Sequence, residues 1–264
     1  MPVEFFKRKY IILYLCLILI CLLIISRQVI NEHFDNSDGT FIPKHIISTY
    51  VDKSKIPDKV YENIKTFAPN YKHIIFDDKE IISFLKTYYS DDIVKTFHKL
   101  KKGAHKADLF RYCYLYIRGG IYIDIKTELI QNINTIFNKK NVHLYTVYSD
   151  FGDIPTHIYQ GIIASVPKNP IFLHLIEFIV QNKNPSTYDD FCIDFYNKLK
   201  SKFNDVTIGY NNDNINNYNV YLFNEECNNN DKKCPDGLDR YGLCCHITDN
   251  NTKIIKTRYS DYPW

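Results

Sequence analysis

The sequence predicts an α/β fold in which strands and helices alternate along one folded domain. Short runs of β-branched and aromatic residues, at 45–51 and 73–76 among others, alternate with segments of helical apolar spacing, which favours a mainly parallel sheet. Residues 106–128 combine a helix, a Gly-Gly turn and a strand in one unit. A chain of 264 residues that is 45% hydrophobic and 24% charged can bury a substantial core.

The charge balance and the missing motifs exclude several classes of protein. The net charge is +3, and the basic cluster at residues 7–9 accounts for it, so the remainder is close to neutral. A near-neutral domain lacks the basic surface of a protein built to bind nucleic acid, and we expect no nucleic-acid partner. The sequence contains neither G-x-S-x-G nor G-x-G-x-x-G, which disfavours an α/β-hydrolase and a Rossmann oxidoreductase.

The N-terminal stretch predicts a membrane anchor. Residues 10–25 are apolar without interruption, and apolar flanking residues extend them toward the length of a spanning helix. A cleaved signal peptide is the alternative, but the following residues offer no A-x-A-like cleavage site. The predicted parts are a cytosolic tail (1–9), a transmembrane signal anchor (10–28), a polar stem (29–41) and a folded domain (42–264). Basic residues before the span and acidic residues after it predict a single-pass type II orientation.

The first elements of the domain follow from local signals. A strand at 45–51 precedes a helix at 57–67, which Pro57 opens, and a second strand covers 73–76. Asp77 and Asp78 are compatible with a metal site. The favoured interpretation is that Asp78 caps the next helix, and a further helix is predicted over 88–100.

Residues 106–128 begin with an amphipathic helix that ends at a pair of glycines. Apolar and aromatic side chains recur at helical spacing, at Leu109, Tyr112, Cys113, Tyr116 and Ile117. Gly119 and Gly120 end the helix because glycine adopts the left-handed conformation of a helix C-cap at little cost. The β-branched and aromatic run at 121–123 then predicts a short buried strand.

Three polar side chains of this unit predict a ligand site. Asp124 lies at the carboxyl end of the strand, where open α/β sheets bind ligands. Asp108 and Arg111 are three residues apart and share one face of the helix. A strand-end carboxylate beside an Asp–Arg pair suits a polar ligand. The alternative is a surface ion pair on the helix and a carboxylate that only starts a turn.

The remaining segments predict further strands and helices. Strands are predicted at 142–148, 159–166, 218–223 and 254–255, helices at 171–180 and 188–203, a helical or irregular connection at 132–138 and a polar loop at 204–219. The two later helices carry no residue that needs a catalytic explanation.

Four cysteines near the C-terminus predict a disulfide. Their arrangement lacks the paired C-x2-C spacing of a structural zinc site. Disulfides are favoured on the far side of a membrane, and a Cys227–Cys234 bond would close a small loop, with free thiols as the alternative. Cys113, on the apolar face of its helix, is predicted to belong to the core.

The unit at 106–128 resembles the DXD-containing sugar-binding region of a glycosyltransferase family. That family includes initiating mannosyltransferases, α-1,4-galactosyltransferase-like enzymes and sphingolipid mannosyltransferases. The resemblance rests on Ala107, Asp108, Arg111, Tyr112, Gly119, Gly120, Ile121, Tyr122, Ile123 and Asp124. One position departs, because Lys126 stands where the family has the second Asp of the DXD motif.

The resemblance implies a fold and an activity. It implies a GT-A-like nucleotide-sugar-binding fold with a mainly parallel central sheet. It also implies transfer of a hexose from a UDP- or GDP-linked sugar to a glycan, glycolipid or protein acceptor, with retention of configuration by front-face return. A catalytically inactive domain that binds a sugar or a partner is the alternative. The sequence leaves the sugar, the nucleotide and the acceptor open.

The resemblance also assigns roles to individual residues. Asp124 and Lys126 are the predicted catalytic residues. The predicted donor-binding residues are Asp108, Arg111, Tyr112, Gly120, Tyr122, Ser48, Tyr50, Gln160 and Trp264. Gln160 stands where the family usually has Asn on the acceptor side, and an ordinary edge residue is the alternative. Ser260 and Asp261, in a C-terminal segment that folds over the donor in the family, join Asp124 as predicted metal ligands.

Three hypotheses follow for the diphosphate of the donor. In the first, Mn²⁺ or Mg²⁺ is held by Asp124 together with Asp261 or Glu128, since hard cations prefer carboxylate oxygens. In the second, Lys126 itself neutralises the diphosphate and metal dependence is lost or weakened. In the third, the domain no longer catalyses.

The anchor and the resemblance together predict the location. A short span suits a thin membrane of the early secretory pathway. We expect the domain on the lumenal side of the Golgi or endoplasmic reticulum, or of a viral or intracellular membrane equivalent.

Overall fold

The computed structural model describes residues 41–150, 155–228 and 244–263. Within these ranges the strands are β1 (His45–Thr49), β2 (Lys72–Phe76), β3 (Gly120–Ile123), β4 (Glu128–Leu129), β5 (Leu144–Ser149), β6 (His157–Ser165), β7 (Gly209–Asp213), β8 (Tyr218–Asn228), β9 (Cys244–Asp249) and β10 (Thr252–Lys256). The α-helices are α1 (Asp58–Phe67), α2 (Asp78–Tyr88), α3 (Asp91–Lys99), α4 (Gly103–Arg118), α5 (Ile133–Ile136), α6 (Ile171–Gln181) and α7 (Asp190–Phe203), and Lys53–Lys55 form a 3-10 turn.

The described strands join one mixed sheet. Its order is β2-β1-β3-β6-β5-β8-β9-β10-β4, and β7 pairs with β8. Among the described pairings, β1–β2, β1–β3 and β5–β8 are parallel. The other six are antiparallel. The α/β class is therefore confirmed, but the prediction of a mainly parallel sheet is wrong. The links within β7–β8 and β9–β10 are too short for the crossover that parallel neighbours need.

Alternation along the strands divides the core between the two faces of the sheet. Ile47 and Tyr122 point to one face, where they pack with residues of α2, α3, α4, α6 and α7. Ile46 and Ile121 point to the other, where they pack with residues of α1, α5 and β10. Helix α4 is buried over much of its length, charged residues included. Its buried charged side chains, Asp108 and Arg111, therefore interact with protein groups rather than with bulk water.

The beginning of α2 corrects one prediction. Asp77, not Asp78, is the N-cap, because the Asp77 carboxylate accepts the backbone N–H of Glu80 (2.9 Å). The Glu80 carboxylate accepts the backbone N–H of Asp77 in return (3.0 Å), which completes a capping box. Asp78 instead forms an ion pair with Lys106 (3.0 Å).

Other predicted elements are present with shifted ends. Helix α3 begins only at Asp91, because Ser90 before it is extended. The polar loop predicted over 204–219 contains strand β7, which pairs with β8 through the backbone and so needs no apolar pattern. Strand β9 also has no alternation signal in the sequence and is set by its pairing with β8 and β10.

The disulfide differs from the predicted one. The antiparallel register of β8 and β9 places Cys227 opposite Cys245, and their sulfurs are bonded (2.05 Å). The prediction of a Cys227–Cys234 bond is therefore wrong, because sequence proximity is not what brings the partners together. Cys113 is buried as predicted.

The predicted anchor lies outside the described residues. Among the helices of the described ranges, none is both long and apolar enough to cross a membrane. The anchor at 10–28 therefore stays a prediction.

The turn between α4 and β3 needs both of its glycines. Gly119 has φ +62° and Gly120 has φ +91°, in the region that L side chains rarely adopt. A Cβ on Gly120 would also lie 2.4 Å from Nε2 of His45, which bonds to the carbonyl oxygen of Gly119 (3.2 Å). The predicted turn is confirmed, and it fixes the direction in which β3 leaves the helix.

We expect Gly120→Ala to lower the free energy of unfolding by about 2 kcal/mol, because it combines a forbidden φ with a steric conflict. Urea unfolding followed by circular dichroism measures the change. Gly103→Ala is the matched control, since a Cβ there meets no atom within 4 Å. Equal effects of the two substitutions would contradict this account of the turn.

Candidate active site

A cavity of about 700 Å³ opens at the carboxyl end of β3. It is lined by the residues after β1, the first half of α4, the end of β3, the start of β6 and the segment after β10. Asp124 continues the antiparallel pairing of β3 with β6, because its backbone N–H donates to the carbonyl oxygen of Gly161 (2.8 Å). This register brings Gln160 of β6 to the same place as Asp124.

The centre of the site is the buried guanidinium of Arg111. Its Nη2 lies 3.2 Å from Oδ1 of Asp108 and 3.5 Å from Oδ1 of Asp124. Its Nε donates to the carbonyl oxygen of Ala107 (3.2 Å), and its Nη1 donates to that of Gln160. The predicted interpretation of Asp108–Arg111 as part of a site, rather than a surface ion pair, fits this burial.

Aromatic residues enclose the same group. The guanidinium carbon of Arg111 lies 4.2 Å from the centre of the Tyr122 ring. The Tyr122 hydroxyl donates to Oδ1 of Asp124 (2.9 Å) and lies 3.3 Å from the Thr49 hydroxyl. Arg111 therefore has a fixed position between the helix and the end of β3.

Burial and charge shift the pKa values of these groups. Burial alone would lower the pKa of Arg111, but its interactions with Tyr122, Asp108 and Asp124 more than offset this and raise it. Burial raises the pKa of Tyr122, so the phenol keeps its proton and remains a donor to Asp124. The cluster is thus a cation between two carboxylates and a neutral phenol.

Gln160 connects Asp108 to Tyr112 and α7. With its amide nitrogen facing Asp108 Oδ1 (3.1 Å), its oxygen accepts from the Tyr112 hydroxyl (2.8 Å) and from the backbone N–H of Cys192 (3.2 Å). This orientation satisfies every neighbour, since a carboxylate only accepts. Gln160 is therefore more than an edge residue: it holds Asp108 in place and lines the cavity.

Lys126 faces the cavity beside Asp124 from the turn that follows β3, in which the backbone N–H of Thr127 donates to the carbonyl oxygen of Asp124 (2.9 Å), and not by strand alternation. Its Nζ lies 3.8 Å from Oδ2 of Asp124, the oxygen that points away from Arg111 and Tyr122. The side chain of Lys126 is about one-third exposed. A cationic group therefore occupies the position where the family pattern has a carboxylate.

The structure separates the predicted catalytic and donor-binding residues of the described ranges into two groups. Those that line the cavity are Tyr50, Asp108, Arg111, Tyr122, Asp124, Lys126 and Gln160. Ser48, Tyr112 and Gly120 are not among its lining residues. Ser48 is bonded to Nε2 of His73 (3.0 Å), because strand alternation points it away from the side that Thr49 takes. The Tyr112 hydroxyl is hydrogen-bonded to the side chain of Gln160, and Gly120 packs against the ring of His45.

The predicted metal ligands other than Asp124 lie elsewhere. Asp261 pairs with Lys59, and neither it nor Ser260 lines the cavity. Glu128 pairs with Lys256 (3.1 Å). Trp264 lies outside the described residues.

The residues around Asp124 do not fit a divalent cation. Mn²⁺ and Mg²⁺ need several oxygen ligands, yet both oxygens of Asp124 face cationic side chains. Within the described ranges, the only three His, Cys, Asp or Glu side chains whose ligand atoms come together are Glu225, Cys227 and Cys245. The two cysteines form the disulfide and offer no thiolate.

Several residues of the site have no signal in the sequence. His157, Tyr159, Glu225, Arg258 and Tyr262 all line the cavity. They come from β6, β8 and the segment after β10, and only the sheet order brings these together. The local pattern that predicts Asp108 and Asp124 covers one helix and one strand. It therefore contains no information on cavity residues from other strands.

A family of known proteins matches the chain over the same unit. Residues 57–143 match the family described as "Glycosyltransferase sugar-binding region containing DXD motif". The resemblance read from the sequence is confirmed over that segment, which contains α4, β3 and both Asp108 and Asp124.

Curated relatives share the match. An initiation-specific alpha-1,6-mannosyltransferase of Candida albicans is 32% identical over 130 residues, which are 44% of this chain and 34% of the relative. An uncharacterized glycosyltransferase of Acanthamoeba polyphaga mimivirus is 29% identical over 126 residues (47% and 49%). A mannosyl phosphorylinositol ceramide synthase of Saccharomyces cerevisiae is 28% identical over 156 residues (58% and 39%). The matched part thus spans between about a third and a half of these relatives.

Among solved structures, the chain is similar to one described as "PaToxG Glycosyltransferase". The two are 17% identical with a TM-score of 0.48, over 62% of this chain and 70% of that one.

Proposed function

We propose that this chain, which carries a glycosyltransferase sugar-binding region at residues 57–143, transfers a hexose from a nucleotide sugar to an acceptor hydroxyl. One observation carries the proposal. Asp108 and Arg111 are buried and preorganised, and with the partly exposed Asp124 they line a cavity of about 700 Å³ at the carboxyl end of a strand. A ligand rich in hydroxyls and phosphate suits such a mixture of fixed carboxylates and cations.

The cluster assigns roles to its members. Asp108 and Asp124 accept hydrogen bonds from hydroxyl groups of the donor, and Arg111 holds both carboxylates in position through its planar fork. Lys126 faces the phosphates. Gln160 orients Asp108 and contributes its cavity face to the acceptor side.

In the transfer step, the bond between the anomeric carbon and the phosphate oxygen breaks and leaves its electron pair on that oxygen. The acceptor oxygen bonds to the anomeric carbon, and its proton goes to the departing diphosphate. Front-face attack of this kind retains the anomeric configuration. The metal-held form of the site is not part of this proposal, because the donor set around Asp124 does not fit a divalent cation.

A catalytically inactive sugar- or partner-binding domain is the second candidate. Lys126, which replaces a carboxylate of the DXD motif, is the observation that favours it. The two candidates differ in turnover, because only the transferase releases a nucleoside diphosphate from the donor.

The test is a screen of UDP- and GDP-linked hexoses with the purified full chain in detergent micelles. Release of UDP or GDP is measured with Mn²⁺ and with EDTA, and donor binding is followed by thermal shift. We expect release of the nucleoside diphosphate from at least one donor. Absence of turnover with every donor, with or without donor binding, would contradict the transferase and favour the inactive sugar- or partner-binding domain.

The proposed location is the lumenal side of a Golgi, endoplasmic reticulum or equivalent membrane, with residues 10–28 as anchor. The support is the apolar run and the basic residues before it. A glycosylation reporter fused to the C-terminus is expected to be modified, and a reporter accessible from the cytosol would contradict this orientation.

A further inference from the structure

Two cationic side chains, Lys126 and Arg258, line the cavity together with Asp124. They come from distant parts of the sequence. The carbonyl oxygen of Lys126 accepts the backbone N–H of Tyr259 (2.8 Å), so the segment after β10 is tied to the end of β3. Arg258 directly precedes Tyr259, the residue that makes this bond. The segment after β10 therefore brings the cationic side chain of Arg258 to the end of β3, beside Lys126.

The partners of these two side chains leave positive charge available to a ligand. The carboxylate paired with Lys126 is Asp124, at 3.8 Å, and Asp124 also serves Arg111. Arg258 Nη2 donates to the carbonyl oxygen of Tyr262 (2.6 Å). Across the described part of the chain, Arg258 pairs with no carboxylate, and its buried Nε has no hydrogen-bond partner. The cavity lining also carries the carboxylate of Glu225, so this end of the cavity is distinguished by two cations from neighbouring segments that face it together and not by an excess of positive charge.

Tyr262 lies close to both Asp124 and Arg258. Burial raises the pKa of Tyr262, Asp124 raises it further, and Arg258 lowers it. Arg258, Asp124 and Tyr262 also line the same cavity. The ring of Tyr262, 5.7 Å from the guanidinium carbon, supports the position of Arg258.

We propose that Lys126 and Arg258 form a metal-free clamp for the diphosphate of the donor, so that the chain binds its nucleotide sugar without a divalent cation. The proposal rests on the proposed function and deepens it. An ammonium binds phosphate as a point charge, and a guanidinium binds two phosphate oxygens with its fork. When the anomeric bond breaks, the electron pair stays on the phosphate oxygen, and these two cations offset the charge.

The experiment measures dissociation constants by isothermal titration calorimetry of the full chain in detergent micelles. The probes are UDP, GDP, UMP and GMP, each with EDTA and with MnCl₂. For the nucleotide that binds, we expect the dissociation constant of the diphosphate to change less than about two-fold between EDTA and Mn²⁺, since the clamp replaces the cation.

Variants separate the clamp from general charge effects. Lys126→Met keeps the apolar stem, and Arg258→Gln keeps a polar group. Each substitution is expected to raise the dissociation constant of the diphosphate in EDTA about ten-fold, and that of the monophosphate by a smaller factor. Lys86→Met and Arg118→Gln are the controls, because both residues are exposed and outside the cavity. Arg258→Lys, which keeps the charge, is expected to bind with intermediate affinity and serves if Arg258→Gln does not fold.

Lys126→Asp supplies the reverse test. It restores the DXD pattern and is expected to make diphosphate binding depend on Mn²⁺. If the unaltered chain binds the diphosphate with Mn²⁺ and loses it in EDTA, the clamp is wrong and the proposed function stands. If the clamp variants bind as tightly as their controls, the clamp is also wrong. Failure of both UDP and GDP to bind under either condition overturns the clamp and the proposed function together.

Discussion

Asp124→Asn is expected to lower kcat/KM for sugar transfer by about 100-fold or more, the size typical of losing one preorganised charged contact. Asparagine keeps an acceptor oxygen for the Tyr122 hydroxyl, and Arg111 keeps Asp108 as its partner. The fold should therefore survive while the charge that meets the donor is lost. Initial rates of nucleoside diphosphate release, together with the thermal unfolding midpoint, measure the two effects separately.

The control for this substitution is Asp205→Asn. Asp205 is exposed, follows α7 and does not line the cavity, so its removal changes the net charge equally without touching the site. Full activity of Asp124→Asn would show that the site has been assigned to the wrong residues. A large drop in its unfolding midpoint would instead assign Asp124 a structural role.

Arg111→Met is expected to lower the free energy of unfolding by about 3–5 kcal/mol, the cost of leaving buried carboxylates without their cation. The side chains of Arg111 and Asp108 are 4% and 8% exposed, so water compensates only in part for the lost partner. Methionine retains much of the volume of the arginine stem, which limits the cavity contribution. Urea unfolding at neutral pH, followed by circular dichroism, measures the loss.

A second substitution distinguishes lost pairing from lost packing. Adding Asp108→Asn to Arg111→Met removes one of the stranded charges and should recover part of the stability. If the double variant is no more stable than Arg111→Met alone, packing around the stem explains the loss. Arg111→Lys should have a free energy of unfolding between those of Arg111→Met and the unaltered chain, because lysine keeps the charge but cannot bond two carboxylates as a planar fork.

The sequence was sufficient to predict the helix, the turn and the strand that carry the site. Apolar spacing along α4 and the need for glycine at Gly119 and Gly120 are local requirements, and local backbone preferences report them directly. The strand-end position of Asp124 follows from the end of the apolar run at 121–123. Lys126 lies in the turn after β3, so the folded turn and not strand alternation sets its cavity side. The match of residues 57–143 to a sugar-binding region agrees with this local pattern.

Predictions about contacts between distant parts of the chain were less accurate. The sheet is mixed and not mainly parallel, and Cys227 pairs with Cys245 because β8 and β9 lie side by side. Ser48 and Thr49 are adjacent in sequence, yet only Thr49 lines the cavity. The resemblance implied that Asp261 is a metal ligand, but Asp261 pairs with Lys59 and does not line the cavity.

The sequence by itself determined which residues stand at the carboxyl end of β3, and that one of them is a lysine where a carboxylate is usual. The tertiary structure decided what surrounds them. Only the sheet order brings Gln160 to Asp108, and only the bond from Tyr259 to Lys126 brings Arg258 to the same end of the cavity. The reason is that strand pairing and chain return depend on contacts between distant residues, which no local pattern encodes.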